Sequence, residues 1–235
     1  MKQGILVAML PFYLLIVIIF VGLAGIFSDT VTVVLQNQGP QRYHRIVIDA
    51  GHGGIDTGAT SCTGAPESGI NLEISLRLED LFHFLGLETV MIRRSDTSVH
   101  TDGRTIAAQK ISDLKERVRI VNETENAILV SIHQNTFSDS RYGGAQVFYA
   151  NSDGSKDLAN LLQSALGKNL NQGSNRNCKR ANGVFLMENI RKTGLLIECG
   201  FLTNPEEEAK LRSKSYQQKL CVVIATVLAE YLSNT

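Results

Sequence analysis

Residues 127–132 read AILVSI, a run that is apolar on both faces of any strand it could form. A strand of that kind belongs inside a sheet covered on both sides, the arrangement in which parallel strands alternate with helices. The flanking patterns agree. Ile46, Val47 and Ile48 mark an earlier strand that ends at Asp49, and residues 194–197 mark a later one followed by Glu198. Ile70, Ile74, Leu78, Leu81, Phe82 and Leu85 recur mostly at three- and four-residue steps and describe a helix ended by Gly86. Ile111, Leu114, Val118 and Val121, with Ile120 beside them, describe another. Strands over 88–92 and 145–149, a helix with a broad apolar face over 158–170 and a helix over 216–231 extend the alternation. The expected fold is α/β: a mainly parallel twisted sheet with helices on both faces, in a single domain.

The connections carry their own expectations. Residues 60–69 read as a polar loop containing Glu67, and 98–108 as a second polar loop. Arg93 and Arg94 close a strand and read as its solvated end or, alternatively, as a basic pair reaching a polar ligand, while Lys115, Glu116, Arg117 and Arg119 read as the outer face of the second helix. Residues 184–187 form a short extended candidate, 171–180 a polar stretch able to border a groove, and the charge run 206–210 a solvated helix face. Cys62, Cys178, Cys199 and Cys221 make no CxxC pair. Cys221 sits in an apolar run and reads as a small buried hydrophobe; spacing leaves open a disulfide between Cys62 and Cys178.

Ahead of the domain, residues 4–27 are uncharged throughout, long enough as a helix to cross a bilayer. The run exceeds the apolar core of a cleaved signal peptide, so an uncleaved anchor is expected, with secretion after cleavage the lesser alternative. Residues 1–3 are then a short cytoplasmic N-terminus, 28–44 a tether and 45–235 a domain outside the membrane. Lys plus Arg and Asp plus Glu both number 23, for a formal charge of zero, and the basic residues are dispersed. That balance excludes nucleic acid as an expected partner.

Candidate chemistry sits at strand ends. His52 follows the first strand within a glycine-rich turn, His133 follows residues 127–132, and Glu198 follows residues 194–197. Loops after parallel strands converge on one sheet edge, where Glu67 can join them. Two imidazoles and a carboxylate, His52, Glu67 and His133, make a zinc ligand set with one position open for water or substrate. Glu198 could then carry a proton between water and a leaving amine. A tight turn with a solvent-facing His52, and a salt bridge or helix cap at Glu198, account for the same residues without chemistry. His44, His83 and His100 lack this setting.

The segments VIDAGHGGIDTGA, Glu67 followed by Asn71-Leu72, DLKERVRIVN, SIHQN and LIECGFLTNP occur in this order. Together they resemble the zinc-dependent N-acetylmuramoyl-L-alanine amidases of catalytic type three, over essentially residues 45–233. RVRIVN, CKRANGVFLMEN and the N-terminal apolar segment are most similar to the germination-specific, spore-cortex branch of that family. The resemblance implies hydrolysis of the amide between N-acetylmuramic acid and L-alanine in peptidoglycan, with Zn2+ on His52, Glu67 and His133 and Glu198 as catalytic acid/base. It further implies a role in cortex maturation toward muramic-δ-lactam, in the forespore intermembrane space or on the cortex side. The implied partners are glycan strands with stem peptides, the membrane, a sporulation lipoprotein activator and, functionally, a peptidoglycan deacetylase. Ser68, Gly69, Gln134 and Cys199 depart from the family pattern and could tune the groove. The alternative is a membrane-anchored peptidoglycan-binding or interaction protein with little activity unless a partner is present.

Overall fold

A computed structural model of the chain describes residues 45–170 and 176–234. The expected N-terminus, anchor and tether, His44 and residues 171–175 lie outside the described residues. Among the described residues no helix is long and apolar enough to cross a membrane.

The strands are β1 (Arg45–Ala50), β2 (Thr89–Met91), β3 (Ala127–Asn135), β4 (Gln146–Tyr149), β5 (Lys179–Arg180) and β6 (Thr193–Phe201). The helices are α1 (Glu67–Phe84), α2 (Ile106–Glu123), α3 (Ser155–Asn169), α4 (Phe185–Asn189), α5 (Pro205–Leu211) and α6 (Lys214–Ser233). One six-stranded sheet has the order β2-β1-β3-β6-β4-β5. β2, β1, β3 and β6 run parallel, as the doubly apolar runs predict, and β4 lies antiparallel to β6.

Side chains alternate between the faces of a strand, and this period sorts the core. Ile46, Ile48, Ile128, Val130, Ile132, Leu195 and Ile197 pack with the buried residues of α1, α3 and α6. Val47, Leu129 and Leu196 pack on the other face with Val121 of α2 and Leu186 and Met187 of α4. The same alternation turns Asp49, Ser131, His133 and Glu198 toward the α2 and α4 side, where β1, β3 and β6 finish together. Residues Asp49 and Ser131 are paired across β1 and β3, and His133 and Glu198 across β3 and β6.

Several local expectations are corrected. Residues 185–189 are helical rather than extended. A single turn is too short for helical periodicity to show in sequence, and burial of Leu186 and Met187 is what holds it against the sheet. Glu67 is the first residue of α1 after Pro66, not part of the preceding loop. An acidic side chain there suits the unpaired N–H groups and positive dipole end of a helix start. In the charge run, α5 is capped by Asn204, which accepts from the amides of Glu206 and Glu207. Yet Glu208 is buried and accepts from Ser61 and Thr63, so that face is only partly solvated. Cys62 and Cys178 are free thiols, and Cys221 is buried in the core as expected.

Candidate metal centre

Three elements deliver the proposed ligands. His52 follows β1, Glu67 opens α1 and His133 lies in β3; one ligand atom from each falls within 4.8 Å of the others. His52 Nε2 is 3.3 Å from Glu67 Oε2, and His133 Nδ1 is 3.1 Å from Glu67 Oε1. A tetrahedral zinc ion with bonds of about 2.0–2.1 Å sets its ligand atoms roughly 3.3 Å apart; the donor types fit that ion, and the two histidines approach different oxygens of the one carboxylate.

His52 and Glu67 are held from behind by hydrogen bonds. His52 Nδ1 donates to Asp56 Oδ2 at 2.7 Å, which fixes the ring and leaves Nε2 facing Glu67. Asp56 in turn accepts from Lys110 at 2.8 Å. Glu67 accepts from the amides of Ala59 (2.9 Å) and Gln134 (3.1 Å) and from Asn71 Nδ2 (3.1 Å). Gly51 is a glycine because a Cβ there would lie 2.3 Å from the His133 ring. Gly58, at φ 67°, could not carry a Cβ without meeting Glu67 and the His52 ring.

The charges follow from this packing. Burial disfavours a charged His52, but hydrogen bonds and attraction from Glu67 and Asp56 outweigh it and raise its pKa to about 9. Burial would likewise raise the pKa of Glu67, yet His133 and His52 hold its carboxyl well below the usual carboxylate range. Glu198 lacks such support. Its Oε2 is buried with no hydrogen-bond partner, and burial, with the Glu67 charge adding and the histidines opposing, raises its pKa to about 7. A cleft of about 280 Å³ joins these groups: His52, His133 and Glu198 line it, with Leu114, Leu186 and Leu196 supplying apolar wall.

Two arginines assigned to solvent by sequence are buried beneath the site. Arg117, read as the outside of a helix, is 2% exposed. It forms ion pairs with Asp49 and Asp113 and donates to His52 O at 2.7 Å. Arg93, read as a solvated strand end, is 3% exposed, while its neighbour Arg94 does reach the surface and forms an ion pair with Glu79. Asp49, Asp56, Lys110 and Asp113 also line the cleft without having been singled out from sequence. The four-residue spacings His52–Asp56 and Asp113–Arg117 were the available signals. Gln134 joins the support of the site by donating to Asn71 at 3.1 Å, whereas Cys199 is buried on the opposite face of β6.

A family model described as N-acetylmuramoyl-L-alanine amidase matches residues 46–230. The germination-specific N-acetylmuramoyl-L-alanine amidase of Bacillus subtilis (strain 168) is 35% identical over 191 residues, covering 80% of each chain. Among solved structures, the CwlD amidase from Clostridioides difficile in complex with the GerS lipoprotein is 35% identical, with a TM-score of 0.77 over 81% of this chain and 99% of that one. An N-acetylmuramoyl-L-alanine amidase from Clostridium difficile 630 is 31% identical, with a TM-score of 0.71 over 80% of this chain and 96% of that one.

Proposed function

Since this chain belongs to the N-acetylmuramoyl-L-alanine amidase family and is an enzyme of that class, we propose that it is zinc-dependent, with His52, Glu67 and His133 as ligands and Glu198 as catalytic acid/base. The observation that carries this reading is the convergence of the three donors on the edge where Glu198 opens into the same cleft. The bond cleaved is the amide between the lactyl group of N-acetylmuramic acid and L-alanine of the stem.

A bound zinc ion supplies a Lewis acid that eases deprotonation of water near neutral pH and polarises the amide carbonyl. Glu198 takes the proton as the water oxygen attacks the carbonyl carbon, then returns it to the nitrogen as the C–N bond breaks. The products are a lactyl carboxylate on the glycan and a free amine on L-alanine. A pKa of about 7 suits a group that must accept and release a proton in one turnover. The apolar wall formed by Leu114, Leu186 and Leu196 limits water around the reacting amide.

The cellular reading is cortex maturation on the extracytoplasmic side. The lactyl carboxylate released here is what a deacetylase and a lactam-forming step would convert to muramic-δ-lactam. Similarity to the germination-specific relative supports that role, and the relative solved with a lipoprotein supports a lipoprotein partner. Membrane attachment rests on the apolar residues 4–27.

Metal titration of the full chain tests the ligand set. One zinc per chain is expected, and His133→Ala should lose it. Ligation needs a neutral imidazole, whereas metal-free His52 keeps its proton up to a pH of about 9. Zinc affinity should therefore fall about tenfold per pH unit as pH drops from about 9 to 7. Affinity independent of pH over that window would mean that metal-free His52 is already neutral there, and unchanged affinity in His52→Ala would exclude it as a ligand. Gly51→Ala adds a second check: the clash falls on the His133 ring, which can rotate away. The variant should fold but bind zinc about tenfold more weakly or worse; wild-type affinity would remove His133 from the set.

A further inference from the structure

The turn that carries His52 has an unfavourable backbone. His52, Gly53 and Gly54 have φ of 62°, 132° and 60°, and only the glycines adopt such values at little cost. Among its amides, that of Gly51 donates to Ile132 O at 3.0 Å, that of Gly53 to Asp56 O at 2.7 Å and that of Gly54 to Asp96 Oδ1 at 3.1 Å. Its carbonyls are met largely by the two buried arginines. Arg93 Nε donates to Ala50 O at 2.7 Å and Nη2 to Gly51 O at 2.9 Å, while Arg117 Nη2 takes His52 O.

Arg93 does more than close the turn. The same Nη2 donates to Ser68 O at 2.8 Å, one residue beyond Glu67, and Nη1 donates to Ser95 O at 3.0 Å. All four of these bonds go to backbone carbonyls. One planar guanidinium thus ties the end of β1, the start of α1 and the segment after β2. A Cβ on Gly53 would lie 2.5 Å from Thr97 O and 2.9 Å from Arg93 Nε, so the glycine lets both the Thr97 carbonyl and the guanidinium lie against the turn. Burying a cation is costly unless it is paired or hydrogen-bonded, and the planar fork of arginine reaches several carbonyls at once where a neutral side chain cannot.

We propose that Arg93 is a positioning residue that sets the spacing between His52 and Glu67, and through it the zinc affinity of the site. The inference rests on the zinc reading above. It assigns metal affinity to a residue that touches neither metal nor substrate.

The test compares full-length Arg93→Lys and Arg93→Met with Leu158→Ala, a core truncation in α3. Zinc affinity is read by chelator competition below the melting temperature of each metal-free variant. Hydrogen exchange at the Gly53 amide is followed in the same metal-free chains. Both Arg93 variants should bind zinc about 10–100-fold more weakly and exchange faster at Gly53. Leu158→Ala should do neither, even where its melting temperature falls as far. Arg93→Lys keeps the charge but not the fork, so its loss would assign the effect to geometry. Wild-type affinity in the Arg93 variants, or equal loss in Leu158→Ala, would overturn the proposal. If the wild-type chain itself binds no zinc, the zinc reading fails, and unchanged Gly53 exchange would separately refute the hold on the turn.

Discussion

Replacing Glu198 by glutamine is expected to lower kcat on a defined muropeptide by about 10²–10⁴-fold, with zinc stoichiometry unchanged. The size of the effect follows from where the carboxylate sits. Glu198 pairs with His133 across β3 and β6, facing the cleft, but it does not belong to the cluster of ligand atoms. Among the described residues its buried Oε2 has no hydrogen-bond partner, so none of them competes for a proton placed there. Glutamine keeps the shape and cannot take that proton. KM should change little, because the loss falls on a transfer made in the transition state. The acidic limb of the kcat profile should also disappear, because glutamine has no carboxyl to protonate. Full turnover in a zinc-loaded Glu198→Gln chain would transfer the acid/base role to another group.

Asp49→Asn is expected to cost about 3–5 kcal/mol of stability at pH 7, measured by urea unfolding of metal-free protein. Asp49 is 1% exposed, forms an ion pair with Arg117 and accepts from Ser131 Oγ at 2.6 Å. Removing its charge leaves Arg117 buried with Asp113 as its remaining carboxylate partner. Burial alone would raise the pKa of Asp49, but Arg117 foremost, with His133 and Ser131, lowers it below the ordinary aspartate value of 3.8. A depressed folded-state pKa contributes stability that is fully present above the unfolded value and is lost as pH falls through the folded one. The gap between wild type and variant should therefore hold above a pH of about 4 and narrow below it. Equal stability at pH 7 would mean that the buried network is not under electrostatic load.

The legible part of the fold was the part with a period. β1, β3 and β6 carry residues apolar on both faces, and α1 repeats its apolar side chains at helical steps, so the sheet and its coverings could be read directly. The direction of β4 could not, because strand pattern is the same whichever way a strand runs. His52 and His133 stood out because one follows a glycine and the other ends an apolar run, whereas Glu67 was marked only by its place before the first helix and by the family resemblance. Their supports did not: Arg93 and Arg117 carry the charge that usually marks solvent, and burial becomes affordable only once distant carbonyls and carboxylates meet them. Strand alternation, applied from Glu198, already turns Cys199 to the opposite face.

The central claim is tested most directly by the mass of the products. Full-length chain, stripped of metal and then reloaded with zinc, is incubated with a defined muropeptide in the presence and absence of a sporulation lipoprotein. The account predicts a peptide with a free L-alanine amine and a glycan with a free lactyl carboxyl, formed only in the zinc-loaded samples. Cleavage at a different bond, cleavage at full rate by the stripped chain, or no cleavage under either partner condition would contradict it.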